Sequence, residues 1–226
     1  MNEVWYFSAA GHSRKVALFF AKALEVPLKE IDPRAQPGGD AAVVVFPVYC
    51  QNIPEPVKAF LSRLQAGRVV LVATYGRMGY GNVLWEGARL LTGQVIGAAF
   101  VPSGHTYRKE EVPIDFDALR PLLSCMEKTK PVSIPKLKKW WLGDCFPKLR
   151  GKLSVRLRKN ERCTGCGLCS VRCPMGTMQD GTPGNNCIRC LRCVYECPEK
   201  ALTFVCHPVL RWYLHKPRQT GTVLYL

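Results

Sequence analysis

One arrangement of cysteines occurs twice in this chain and limits what its last third can fold into. Residues 163–178 read CTGCGLCSVRCPMGTM, and residues 185–204 read NNCIRCLRCVYECPEKALTF. Cys163, Cys166, Cys169, Cys173 and Pro174 superpose on Cys187, Cys190, Cys193, Cys197 and Pro198 with a constant shift of 24 residues. Such a repeat marks a duplicated half. In each copy three thiolates, separated by two residues each, are spaced to wrap one iron-sulfur cubane, while the fourth, followed by proline, reaches across to the other. The ligand sets then interlock: Cys163, Cys166, Cys169 and Cys197 for one cluster, Cys187, Cys190, Cys193 and Cys173 for the other. Gly165 and Gly167 let backbone N–H groups turn toward the sulfurs. The alternative is structural zinc, but a zinc ribbon needs two CxxC pairs, not two triples each with a trailing Cys-Pro.

This stretch resembles a bacterial-type two-cluster ferredoxin. The resemblance implies a small α+β domain over residues 156–206, two 4Fe-4S clusters and one-electron transfer at low potential. Of the twelve cysteines, Cys50, Cys125, Cys145 and Cys206 remain. They read as small buried hydrophobes, and only Cys50 lies near a second candidate site. The start, MNEVWYFSAAGHSRK, is strand-like and unlike a signal peptide, and no apolar run reaches the roughly 18 residues of a membrane span. The expected location is cytoplasmic, where clustered cysteines ligate metal more often than they form disulfides.

Charge divides the chain. Residues 1–125 hold 13 Lys/Arg against 11 Asp/Glu, whereas residues 126–226 hold 19 against 6, which together give the formal +15. Anionic clusters offset part of this excess, and a basic surface remains.

The first half alternates apolar strands with helical periodicity. Strands are predicted at Val4–Phe7, Val26–Ile31, Ala41–Pro47, Arg68–Thr74 and Gln94–Phe100, and helices at Arg14–Leu24, Pro56–Leu64, Asn82–Leu91 and Asp117–Met126. The alternation implies an α/β domain over residues 1–126, a five-stranded parallel sheet with helices on both faces. Ligands of such sheets bind beyond the carboxyl ends of the strands. There lie three loops: Ser8-Ala9-Ala10-Gly11-His12-Ser13; Pro47-Val48-Tyr49-Cys50-Gln51-Asn52-Ile53-Pro54; and Thr74-Tyr75-Gly76-Arg77-Met78-Gly79-Tyr80-Gly81. The first opens a helix whose N–H groups suit a phosphate, or it is a plain turn with Ser13 as cap. Together they resemble the flavodoxin half of flavodoxin-ferredoxin fusion proteins of anaerobes, a likeness that covers essentially residues 1–206. It implies a flavodoxin-like fold and FMN, with the phosphate on residues 8–13 and the other two loops beside the isoalloxazine ring. Tyr49 or Tyr75 is then a stacking residue, against the alternative of a core or rim aromatic. Ala10 and His12 depart from the flavodoxin pattern, and this half is nearly neutral where carrier flavodoxins are acidic. Arg77 is expected beside the ring, and His105 reads as a surface loop residue.

Residues 127–155 form a basic linker in which Trp140, Trp141, Leu142 and Phe146 interrupt Lys136, Lys138, Lys139, Lys148, Arg150 and Lys152; Arg156, Arg158, Lys159 and Arg162 continue the run. The aromatics are read as packing and the cations as steering a redox partner protein of acidic character. Residues 207–226 are expected as a tail docked on the body. No nucleic-acid module is recognisable. The expected function is electron transfer between two 4Fe-4S clusters and FMN. The alternatives are a flavin-dependent reductase of a small-molecule substrate and a docking or assembly subunit without flavin.

Overall fold

The computed structural model describes residues 2–32, 37–108, 110–137 and 147–226, without the side chains of 147–150. Lys138, Lys139, Trp140, Trp141, Leu142, Cys145 and Phe146 of the linker lie outside the described residues. The chain forms two compact units, one running to Gly143 and taking up Arg218–Leu226 again, the other comprising Asp144–Pro217.

In the first unit β1 (Glu3–Tyr6) leads to α1 (His12–Leu24), β2 (Leu28–Glu30), β3 (Gly38–Pro47), α2 (Glu55–Leu61), β4 (Gln65–Tyr75), α3 (Val83–Leu90) and β5 (Gln94–Pro102). These five strands are parallel. The apolar runs that predict them are buried on both sides, as a sheet covered on both faces requires. Along β4, Val69, Leu71, Ala73 and Tyr75 join the cluster under α2 and α3, while Val70 and Val72 join the one under α1. Side chains of period two thus feed two cores.

The predicted helix Asp117–Met126 is instead a pair of 3-10 turns, Asp117–Leu122 and Ser124–Glu127. Pro121 has no N–H to close an α-helical bond and interrupts the segment. Leu119, Leu122 and Cys125 still pack on the α1 face.

The second unit contains α4 (Pro147–Ser154), β6 (Val155–Lys159), α5 (Leu168–Val171), β7 (Met178–Gln179), β8 (Thr182–Pro183), α6 (Arg192–Tyr195), β9 (Leu202–Cys206) and α7 (Pro208–Leu214). β6 pairs antiparallel with β9, and β7 with β8. The expected linker and tail therefore divide differently: α4 and α7 belong to this unit, and the last nine residues return to the first. There β10 (Val223–Tyr225) lies antiparallel on β5, giving the order β10-β5-β4-β3-β1-β2 and six strands where five are predicted. Among the described residues, no helix is long and apolar enough to cross a membrane.

Candidate functional site

The duplication is visible in the backbone of the second unit. Gly165 and Gly167 have φ of 73° and 72°, and the positions 24 residues on, Arg189 and Leu191, have 56° and 65°. Gly176 at 57° corresponds in the same way to Lys200 at 49°. Glycine takes this left-handed conformation without steric cost, whereas Arg189, Leu191 and Lys200 hold it against the clash of their Cβ atoms. α5 and α6 occupy equivalent positions, each opening on a left-handed residue. The strand pairs also exchange under the shift. Arg158↔Thr203 and Lys159↔Leu202 map onto Thr182↔Gln179 and Pro183↔Met178. Two halves related by such an exchange present each fourth cysteine to the opposite triple.

Cys163, Cys166, Cys169 and Cys197, together with Cys193, line one cavity open to solvent and walled by residues that include Gly165, Gly167, Leu168, Ala201 and Leu202. The other triple has Cys173 as neighbour. Burial pushes the Cys190 thiol up to about 11, opposed by the Arg192 N–H and reinforced by Cys187 and Cys173. Burial pushes Cys193 up to about 12, reinforced by Cys190, Cys187, Cys173 and, from the other set, Cys169. Sulfurs that oppose one another's ionisation are the donor set a multiply charged iron centre requires, since metal charge reverses the sign of that interaction. All of these cysteines are free thiols. Among the described residues no three His, Cys, Asp or Glu groups converge on a single-ion position. The backbone N–H of Ala201 donates to Cys197 Sγ at 3.3 Å.

In the first unit, the strand order places the loops after β1 and β3 on either side of the point where the sheet reverses its winding, the place where doubly wound sheets bind ligands. Gly11, at φ 87°, precedes α1, and a Cβ there would meet nothing within 4 Å. The first-turn N–H groups of α1 have no partners within the helix. Ser8 and Ser13 are buried, and the Ser13 hydroxyl shares a 2.8 Å hydrogen bond with that of Thr74. These residues fit the phosphate end of a nucleotide. The second loop closes at Tyr49–Asn52, where Cys50 and Gln51 have φ of 50° and 62° and Asn52 N–H donates to Tyr49 O at 2.9 Å. Gln51 lies against Gly79 and Gly81, where a Cβ at Gly81 would meet Gln51 O at 2.5 Å, so the second and third loops interlock.

The ring end is more crowded. Tyr75 is buried, its hydroxyl donates to Gly221 O at 2.7 Å, and its ring meets Tyr80 edge-on at 5.1 Å. Tyr80 stacks on Phe100 at 3.8 Å. Burial, then Tyr80, pushes the Tyr75 phenol up to about 12. Tyr75 is thus a core aromatic that clasps the returning tail and not a stacking residue. Tyr49 meets Phe7 edge-on at 6.5 Å and packs against the core from its rim.

Arg77, expected beside the ring, pairs with Glu110, and its carbonyl accepts the N–H groups of Arg218 at 2.8 Å and Gln219 at 3.2 Å. Arg108 also pairs with Glu110, at 2.8 Å. Glu110 was not singled out by sequence, although it sits in the charged run RKEE at 108–111.

His105 lies in a loop, as expected, and is half-buried there. Its ring covers Gly76, where a Cβ would lie 2.4 Å from it, and burial together with Arg108 lowers its pKa to about 4, Glu110 opposing. The Tyr107 N–H donates to His105 Nδ1 at 3.1 Å, which leaves the proton of the neutral ring on Nε2. The His12 ring stands 2.7 Å from where a Gly104 Cβ would be, and burial, then Lys15, lowers its pKa. The two glycines make room for two imidazoles. Of the other cysteines, Cys125 is buried beneath Gly97, Cys50 is exposed, and Cys206 is half-buried on β9.

Comparison with known proteins bears on the second unit. Residues 159–179 match the family model described as 4Fe-4S binding domain. Pyruvate synthase subunit PorD of Methanocaldococcus jannaschii is 40% identical over 52 residues, 20% of this chain and 60% of the relative, so the chain spans less than two thirds of that protein. A crystal structure from Bacteroides uniformis ATCC 8492, whose description as a flavoprotein is itself provisional, aligns over 46% of this chain and 91% of its own at 16% identity and a TM-score of 0.36, a likeness that carries no argument. The second unit thus carries a 4Fe-4S binding domain.

Proposed function

We propose that the chain passes electrons between two 4Fe-4S clusters in its second unit and an FMN in its first. The observation that carries the reading is the cavity on which Cys163, Cys166 and Cys169 of one motif meet Cys197 of the other, with Cys193 also on its wall. Those four would hold one cluster, and Cys187, Cys190, Cys193 and Cys173 the second. Clusters supply one-electron steps and a flavin joins them to two-electron chemistry. The chain's own groups set the terms. Ala201 N–H offsets charge on Cys197 Sγ, and Leu168, Ala201 and Leu202 keep water from one side of the sulfurs. The loop from Ser8 to Ser13 would hold the phosphate at the start of α1, with Gly11 leaving its approach clear.

One specific observation favours a second reading, in which the first unit docks or assembles without flavin. Tyr75, Tyr80 and Arg77, three residues assigned to the ring, are committed to the protein's own packing. Flavin extraction after anaerobic purification separates the two. The flavin reading expects FMN in the parent and its loss in Ser13→Asp, which sets an anion against the phosphate. No flavin in the parent, with clusters intact, would select the docking reading.

A further inference from the structure

Among the described residues, large apolar side chains that stay exposed fall, apart from Leu226, within residues 153–212. Four of them gather where α4, β6, β9 and α7 meet. Val209 and Trp212, 65% and 75% exposed, stand three residues apart on α7 and so share a face, while Leu214 anchors the other side. His207 N–H donates to Ser154 O at 2.8 Å, which brings the start of α7 to the end of α4, beside Leu153 at 66% exposure. Val205, 45% exposed on β9, faces solvent directly across from Arg156 on β6, with Arg158 opposite Thr203 on the same exposed side.

The charge around this patch has one sign. Residues 147–159 carry six Lys/Arg and residues 200–226 four, without an Asp or Glu in either stretch. An exposed tryptophan on a surface that also carries arginines is the composition of an interface hot spot, where a large rigid aromatic is buried and cations find carboxylates. β9 also begins at Leu202, which walls the cavity of the first cysteine set, so a partner seated on this ribbon lies beside that set.

We infer that the α7–β9 corner, centred on Trp212 and Val209 and flanked by Arg156 and Arg158, is the docking surface for an acidic redox protein. The inference rests on the electron-transfer reading and locates where the partner binds. It moves the expected steering charge from the linker to this ribbon: Lys136 Nζ lies 5.0 Å from the Trp85 ring centroid in the first unit. A protein fits better than an anionic lipid surface, because α7 has seven residues and offers a narrow apolar face.

The test uses the holoprotein, a small acidic 2Fe-2S ferredoxin as probe, and the variants Trp212→Ala/Val209→Ser and Arg156→Glu/Arg158→Glu. Calorimetric titration with oxidised probe reads binding; stopped-flow mixing with reduced probe reads electron transfer; dithionite reduction and iron content check that the clusters are intact. Both variants should bind roughly tenfold more weakly and accept electrons correspondingly more slowly at low salt, with the charge variant losing its deficit at high salt. Dithionite reduction should be unchanged. Parental binding in both variants overturns the surface, as does sedimentation of the holoprotein with phosphatidylserine vesicles in a Trp212-dependent way. Binding that needs Trp212 but gives no electron transfer would leave the surface standing and defeat the electron-transfer reading.

Discussion

The two units are held together by different things. Among the described residues, every one of the largest fully buried side chains, Phe7, Phe20, Phe46, Phe60 and Phe100 included, belongs to the first unit, where two apolar layers sandwich the sheet. In the second, the buried apolar residues among those described are few, Val155, Met178, Leu191, Ala201, Leu202 and Leu214 among them, and Ala201 and Leu202 wall the sulfur-lined cavity. A hydrocarbon core stabilises in proportion to area removed from water, and a unit with little of it needs another source. Metal bound to the folded but not the unfolded chain is such a source. The first unit is therefore expected to fold on its hydrophobic content and the second on its clusters.

Stripping iron with a chelator under air should have the largest effect. The second unit should unfold outright while the first keeps its far-UV signal and melting transition, so the holoprotein melts in two steps and the stripped protein in one. Survival of both transitions after complete iron loss would break the comparison. Phe60→Ala is the converse, since Phe60 is fully buried between α2 and the sheet. It should cost the first unit about 3–5 kcal/mol by denaturant melting and leave iron content at the parental value.

A smaller effect isolates the backbone of the duplicated halves. A Cβ at Gly165 would meet no atom within 4 Å, so Gly165→Ala adds only the strain of φ 73°. The expected penalty is about 1–2 kcal/mol, read as faster cluster loss from the first-motif set with the first unit unmoved. Parental cluster lifetime would show that the turn is not held at that angle.

The smallest effect is a pH slope in the first unit. His105 titrates near 4 in the folded chain against 6.5 unfolded, because burial, Arg108 and His12 disfavour its proton more than Glu110 favours it. The unfolded chain takes up the proton first, so this contribution is complete above about pH 6.5 and is lost as pH falls toward 4. The first-unit melting temperature should fall over that window, and less steeply in His105→Asn. Identical slopes would remove His105 as the cause.

Much of this was legible in the chain. The apolar runs at Ala41–Pro47, Arg68–Thr74 and Gln94–Phe100 announce central strands because both faces are covered, and each of them lies within an observed strand. The cysteine duplication carries the most information, since spacing, proline and shift all repeat. β10 was illegible: three residues, Val223–Tyr225, have no signal of their own, and β5 sets their pairing. The roles of Tyr75 and Tyr80 were hidden for the same reason, for only the fold brings Phe100 and Gly221 against them. The partial burial of His105 was hidden as well, since it depends on Gly76, a neighbour distant in sequence whose missing side chain makes the space.

The central claim is that the two motifs exchange their fourth ligand. Its most direct test counts iron and sulfide in the anaerobically purified chain and compares the paramagnetic resonance of four reduced variants, Cys166→Ser, Cys190→Ser, Cys173→Ser and Cys197→Ser. The parent should hold about eight iron and eight sulfide. Cys197→Ser should reproduce the spectrum of Cys166→Ser, and Cys173→Ser that of Cys190→Ser. Zinc without sulfide, or a Cys197→Ser spectrum matching Cys190→Ser, would contradict the exchange.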